Sequence, residues 1–484
     1  MPKIPLDLGV GSYESQTKQF SAQRCVNMYT AVARANSLND KVLFSSPGVE
    51  AFATNGTLPS RGAIAMGGVY YTVNDTVLYS VDEDGVVAAH GTITGSARVS
   101  MAHNGKKLCI VSPGGDAYQY EAATTTLTQI TDVDFVTADT VVWKDGYYIF
   151  SATAGDKFFI SALNDPLTYD ALDFGAAELF PDDIIAVHAN YDEVFVLGEN
   201  TTEVFQNIGG SGFPFQRIPG ASFEKGAHSK YSPIQWEGNF YFLGGGANER
   251  TSVFKAGGST GPVNISTDAI DHQIQLFSRT EIGSSYSFAY SIDGFSFVGF
   301  TFVSVNISAR TFVYSITASE LLGRPVWLEH QTGLTANAWR VASVDFVYDK
   351  LLVSDRVDGR IGTLSTSVYT EYGSAIIREK VTGPLKSNGE SLFVHSMELT
   401  DDSGQGLISG QGSDPVVMMD FSDDGARTWS NEFWRNSGKM GEYGRRMEWR
   451  RLGRVPAHRV WRFRATDPVK TTWIKLEAEI SNGY

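Results

Sequence analysis

The sequence predicts a mainly β protein: a six- or seven-bladed β-propeller with an N-terminal arm and a C-terminal β-sandwich-like domain. Composition, an internal repeat and a change of character in the tail carry that prediction. The 484 residues include 19% charged and 12% aromatic residues, with 49 Gly and 16 Pro. Such a mix is poor in helix formers and rich in strand and turn formers, which excludes a coiled coil or helical solenoid. At 42% hydrophobic residues the chain can fill a core, which excludes disorder.

The repeat is a turn followed by a strongly apolar strand. It opens near positions 68, 105, 146, 192, 238, 294 and 349, in steps of 37, 41, 46, 46, 56 and 55 residues. Blades of four short strands recur at about 40 to 50 residues. Two ordinary β-sandwiches are the competing arrangement. Runs such as Phe240-Tyr241-Phe242-Leu243 lack polar alternation, so both faces of those strands must be covered, and stacked blades cover them.

Residues 1–50 hold no such hairpin and read as an arm or a propeller-closing segment. Residues 51–375 form the propeller. The first copy runs through Gly68-Val69-Tyr70-Tyr71 and the third through Asp145-Gly146-Tyr147-Tyr148. Later returning strands carry Val204-Phe205, Val253-Phe254, Phe312-Val313-Tyr314 and Ile361. A single short helix is suggested at Ala318–Leu322.

Residues 376–484 form the smaller β domain with a basic face. From Phe421 to Lys475 there are 13 Lys and Arg against 6 Asp and Glu, a local +7 in a chain whose net charge is −15. The remainder therefore carries −22. Val460-Trp461-Arg462-Phe463-Arg464 alternates, putting Trp461 and Phe463 on one strand face and both arginines on the other, read as the wet one.

The overall charge excludes a protein that grips nucleic acid over its whole surface. The segment Met1-Pro2-Lys3-Ile4-Pro5 opens no apolar stretch of signal-peptide length, and Phe295–Val305 is broken by Ser296, Gly299, Thr301 and Ser304, so no membrane insertion is expected. Cys25 and Cys109 make no disulfide framework and read as buried, reduced thiols in a protein made in a cytoplasm.

Two patterns stand out as candidate sites. Ser422-Asp423-Asp424-Gly425-Ala426-Arg427-Thr428-Trp429 resembles the Asp-box of sialidase-like propellers, with Ala426 in place of its second glycine. Its physical role is a turn lock built on Ser422, Asp424, Thr428 and Trp429, because a short carboxylate caps turn amides. The second is a basic strip of Arg445, Arg446, Arg450, Arg451 and Arg454, continued by Arg462 and Arg464. It reads as a partner interface or as a solvated strand face. The eight histidines show no metal-ligand spacing, Asp82-Glu83-Asp84-Gly85 reads as a turn, and Ser15-Gln16-Thr17-Lys18 fits a Ser-x-x-Lys pattern at the level of chance. Gly209-Gly210-Ser211-Gly212 lacks a phosphate-loop lysine and reads as a loop tip. No catalytic residue, metal or cofactor is implied.

The chain resembles the packaged-DNA stabilisation, or tail hub (nozzle), proteins of short-tailed bacteriophages. The matching segments include Val26-Asn27-Met28, Ser46-Pro47-Gly48, Gly95-Ser96-Ala97-Arg98-Val99-Ser100-Met101-Ala102-His103, Asp182-Asp183-Ile184-Ile185 and Trp449-Arg450-Arg451-Leu452-Gly453-Arg454. The resemblance implies a virion structural protein and not an enzyme. It implies a hexameric ring beneath the portal and its adaptor ring, a tail needle or plug below, and tailspikes or fibres docked around it. Double-stranded DNA would pass through transiently and without specificity, and assembly would take place in the host bacterial cytoplasm. The alternative is a sialidase-like propeller that binds or cleaves host-surface glycans.

Overall fold

Seven tight turns set the architecture. Those at Gly67-Gly68, Asn104–Lys106, Asp145-Gly146, Tyr191-Asp192, Glu237-Gly238, Asp293-Gly294 and Tyr348-Asp349 each join the two inner strands of a separate antiparallel sheet. In five of them both central residues have positive φ: Gly67-Gly68, Asp145-Gly146, Glu237-Gly238, Asp293-Gly294 and Tyr348-Asp349. That is the two-residue geometry whose twist matches the flanking strands, and it explains why Asp and Gly recur at these points. The computed structural model describes residues 3–34, 39–180, 182–210, 212–257, 260–386 and 391–483. Met1, Pro2 and Ser211 of the segments above lie outside them.

The first sheet runs Ser60–Met66, Val69–Asn74, Val77–Val81 and Val87–Thr92 in simple meander order. Five further sheets repeat that order, ending with Tyr286–Ile292, Phe295–Phe302, Arg310–Ser315 and Trp327–His330. The seventh has Val341–Val347, Lys350–Asp355 and Arg360–Ser365, and its outer strand is Gly48–Thr54 from the other end of the chain. Neighbouring sheets touch in a closed cycle that ends with Val341–Val347 against Ser60–Met66. The structure is thus a propeller whose first and last segments are locked in one sheet.

Apolar side chains fill the gaps between blades, which is why these strands lack alternation. Tyr148, Phe150 and Phe159 pack against Cys109 and Val111. Phe195 and Leu197 pack against Phe240, Phe242 and Phe254. Burial raises the Cys25 thiol to about 11 and pushes Cys109 higher still, so both are protonated, unpaired thiols.

Among the described residues, three short helices interrupt the β pattern. The suggested one is α3, Ile316–Leu322, stopped by Gly323 at φ 62. Two more, α1 at Asp268–Ile274 and α2 at Arg279–Gly283, precede the sixth sheet. At seven and five residues they are too short for a helical period to register, but their caps are present. Thr267 caps α1, and Ser278 with Glu281 forms a capping box on α2.

The rest of the chain builds a two-layer sandwich. One sheet orders Met28–Val32, Lys41–Ser45, Thr472–Gly483, Ser391–Asp401 and Met447–Val455, and Ile4–Leu6 also pairs with Thr472–Gly483. The other orders Ala22–Val26, Arg378–Val381, His458–Ala465, Val416–Ser422 and Phe433–Asn436. Trp449, Trp473, Phe463, Met397, Met419 and Leu476 fill the space between. Among the described residues, the strands before Gly48 are therefore paired in the sandwich sheets. Ala22–Val26 also pairs in parallel with Trp327–His330, at Val26 and Glu329, so one sheet runs unbroken from the sixth blade into the sandwich.

Candidate interaction surface

The continuous sheet carries a row of alternating charges on one face. Arg310 pairs with Glu329 at 2.6 Å and with Glu14 at 3.1 Å. Arg24 bridges Glu329 at 2.8 Å and Glu379 at 3.4 Å. Arg462 bridges Glu379 at 4.0 Å and Asp420 at 2.5 Å, and Arg464 reaches Asp420 at 3.1 Å and then Glu432. Burial alone would push the Glu329 carboxyl up, but Arg24 and then Arg310 outweigh it and hold it well below the carboxylate range. These strands abut without repulsion because every cation in the row faces an anion on the next strand.

This placement corrects the reading of Arg462 and Arg464 as one wet, basic face. Alternation assigned their strand face correctly, but Val416–Ser422 and Arg378–Val381 bring acids onto it. Their side chains retain only 18% and 20% exposure.

The other five arginines lie apart from the row, at the outer edge of the first sandwich sheet. Met447–Val455 pairs with Ser391–Asp401 and with no strand on its other side among the described residues. The register skips between Ser396–Arg450 and Val394–Gly453, with Arg451 at φ 61 and Gly453 at φ 76. That β-bulge lets two successive arginines face water while Trp449 and Leu452 on either side are buried. Arg446 pairs with Glu398 at 2.5 Å and Arg450 with Glu448 at 2.7 Å. Arg445, Arg451 and Arg454 are exposed and make no ion pair among the described residues. The adjacent edge strand of the other sheet, Phe433–Asn436, leaves Trp434 58% exposed.

The turn that resembles an Asp-box closes the hairpin between Val416–Ser422 and Phe433–Asn436. Asp424 accepts from the Arg427 amide at 2.9 Å, the Thr428 amide at 3.0 Å and the Thr428 hydroxyl at 2.6 Å. The Ser422 hydroxyl donates to Asp424 at 2.7 Å and accepts from the Ala426 amide at 2.8 Å. Ala426 sits at φ 64, the conformation that explains a glycine in the usual pattern. These donors, led by Thr428, hold the Asp424 carboxyl well below its ordinary range. Trp429 lies under the Arg462 guanidinium at 4.0 Å. With its oxygens committed to the turn, Asp424 is a lock and not a proton donor.

Between the first two blades, Arg61 is buried with no carboxylate partner among the described residues. Its guanidinium donates to the carbonyls of Ala97, Asp75, Ile93 and Thr94 at 2.6, 2.9, 3.2 and 3.0 Å, and to the Ser112 hydroxyl at 2.7 Å. It fixes the loop that begins Gly95-Ser96-Ala97-Arg98. Arg98 in turn donates to the Ala342 carbonyl at 2.9 Å and stacks on Tyr286 at 4.4 Å, while its own carbonyl accepts from the Tyr231 hydroxyl at 2.7 Å. The motif is thus a tie from the second blade across to the fifth, sixth and seventh. Glu329 and Arg61 were not singled out from sequence, since each is a lone charge with no patterned neighbour. Among the described residues no group of three or more His, Cys, Asp or Glu side chains could hold a metal ion.

Two family models divide the chain along the same lines: bacteriophage P22 Gp10, beta-propeller, matches residues 2–369, and bacteriophage P22 Gp10, beta-sandwich, matches residues 377–481. The chain belongs to this family. The Gp10 family is a structural, tail-hub component of the phage virion, so the chain is a phage tail structural protein of a family not known as enzymes. Among curated proteins no match is found. Solved structures similar to this Gp10-family chain include a chain of the mitotic checkpoint complex, at 12% identity and TM-score 0.39, covering 69% of this chain and 96% of that one. The computationally designed Ika8 protein gives 13% identity and TM-score 0.39, covering 71% and 99%. The N-terminal domain of Nup159 gives 8% and 0.41, covering 71% and 98%. Among the described residues of the Gp10-family chain, no helix is long and apolar enough to cross a membrane.

Proposed function

We propose that the chain is the subunit of a tail hub, or nozzle, that assembles as a homohexameric ring below the portal and adaptor ring. The ring extends the DNA channel, retains the packaged genome together with a needle or plug, and anchors tailspikes or fibres. The observation that carries this reading is the match of both Gp10 models across nearly the whole chain. The continuous sheet and the charge row supply the mechanics such a part needs, because a propeller fused to a sandwich through shared strands cannot hinge between them without breaking ladder hydrogen bonds and buried ion pairs.

The −22 carried outside the basic stretch suits a conduit. An acidic wall repels phosphates, so DNA slides during ejection and closure is steric. Electron microscopy of the purified chain, with and without a portal–adaptor complex, tests the proposal. A six-fold nozzle seated on the ring is the expected result. A chain that stays monomeric with the complex present and releases sugar from host polysaccharide would overturn it. Tight binding of the isolated chain to duplex DNA at physiological salt would remove the sliding-wall part.

A further inference from the structure

Two charged surfaces on this subunit are complementary and cannot meet within it. One is the bulged edge described above, with the exposed Arg445, Arg450, Arg451 and Arg454. The other is a collar formed by the inner turns of the propeller. Five consecutive blades place an exposed acid there: Asp145, Asp192, Glu237, Asp293 and Asp349. Contacts between successive turns put them on one rim. Lys144 reaches Asp192 at 3.8 Å, Tyr191 lies against Gly238, Glu237 accepts from Ser296, and Tyr348 donates to the Val81 carbonyl at 2.7 Å. Tyr191 and Phe346, 68% and 67% exposed, stand among these acids.

In the sandwich sheet the hairpin Met28–Val32 and Lys41–Ser45 sits nearest the propeller, with Tyr29 against Phe295 just beyond the Asp293-Gly294 turn. Met447–Val455 is the strand at the opposite end of that sheet. The basic edge therefore lies at the far end of that sheet from the hairpin that meets the propeller.

We infer that the basic edge of one subunit docks on the acidic collar of a second copy of this chain. The inference rests on the hub reading and names the contact that would build its ring. A two-fold contact would set arginine against arginine, or carboxylate against carboxylate, and is disfavoured on either surface. A head-to-tail contact pairs unlike charges and generates a ring when its rotation closes. The exposed arginines supply guanidinium anchors of the kind that dominate interface energetics, and the exposed Tyr191 and Phe346 offer them an apolar seat.

The test uses the full chain and measures its ring fraction by analytical ultracentrifugation and electron microscopy, with the portal–adaptor complex present and absent. Reversal of the edge, R450E/R451E/R454E, lowers self-association at least tenfold, and D192K/E237K/D293K placed in the same chain restores it. Because these side chains are exposed, the melting temperature stays unchanged. If the triple reversal perturbs folding, R451G/R454S keeps the test open, since glycine suits the φ of 61° at position 451. Raising salt from 0.1 to 0.5 M weakens wild-type association and has less effect on the variant. Wild-type rings that survive the edge reversal overturn the inference and leave the hub reading standing. Rings that survive while adaptor or tailspike binding is lost also overturn it, assigning the edge to that partner. A wild-type chain that forms no ring even with the adaptor present sinks the hub reading itself.

Discussion

Glu329→Gln removes one charge from the row that joins the propeller to the sandwich while keeping side-chain volume. Glu329 accepts from Arg24 Nε at 3.2 Å and Nη2 at 2.8 Å, from Arg310 Nη2 at 2.6 Å, and from Ser12 Oγ at 3.1 Å. Its side chain is 5% exposed, so water cannot replace the lost anion. Breaking a buried ion pair by removing one partner costs roughly 3–5 kcal/mol. Here Arg24 keeps Glu379 and Arg310 keeps Glu14, which brings the expected cost down to about 2–3 kcal/mol. Urea unfolding, which leaves ion pairs unscreened, reads the change through tryptophan fluorescence. Trp327 and Trp339 report on the propeller, and Trp449, Trp461 and Trp473 on the sandwich. The variant unfolds at lower urea, and its single transition splits as the two parts uncouple. The folded-state carboxyl lies below its unfolded value, so its contribution is fully present above about pH 4.3 and fades as pH falls through the folded value. The difference between wild type and variant is therefore full at pH 7 and shrinks in acid. A difference below about 0.5 kcal/mol at pH 7, or one that stays constant down to about pH 2, refutes the reasoning.

Three further outcomes follow from other sites. Arg61→Lys leaves several of its carbonyl acceptors unpaired and lowers stability by about 2–4 kcal/mol, read as a shifted urea midpoint. Trp449→Ala opens a cavity in the sandwich and frees the Phe433 carbonyl that accepts from the indole at 2.8 Å, at a cost of about 3–5 kcal/mol in the same assay. Burial, against the pull of Arg340 and Thr332, raises the Glu371 carboxyl to about 7. The folded state thus loses stability as pH climbs from the unfolded value near about 4.3 to about 7, and Glu371→Gln flattens that decline; a midpoint-against-pH curve identical to wild type excludes it.

The inner turns were legible because their geometry restricts residue choice. Positive φ at two successive positions favours Gly, Asp and Asn, and Gly or Asp hold eight of the ten such positions here, with Glu237 and Tyr348 in the others, so turns of this kind ahead of apolar runs mark the blades. The pairing of Gly48–Thr54 with Arg360–Ser365 left no local trace, since a closing strand has the composition of any other. The same holds for the N-terminal strands that belong to the sandwich, which long-range partners alone define. In Trp449-Arg450-Arg451-Leu452-Gly453 the signal was present and went unused: two polar residues between two apolar ones break the period of two, and a glycine follows, which marks a bulge.

Charge counted along a window misplaces charge in space, and the basic stretch shows why. Of its cations, Arg462 is neutralised by Glu379, Arg446 by Glu398 and Lys470 by Asp402, all of them acids outside the stretch. Arg459 and Arg464 are neutralised by Asp423 and Glu432 within it. The +7 of the sequence is therefore spread through strands that fold back upon it; among the described residues Arg445, Arg451 and Arg454 make no ion pair at the bulged edge, and Arg427, Arg435 and Lys439 make none elsewhere in the stretch. Buried pairs cost desolvation wherever they form, yet the chain spends its acids on the interior row and leaves Arg445, Arg451 and Arg454 without any. On the head-to-tail contact proposed above, these cations would meet the acidic inner turns of a second copy, and their reversal in R450E/R451E/R454E would lower association without touching a buried side chain.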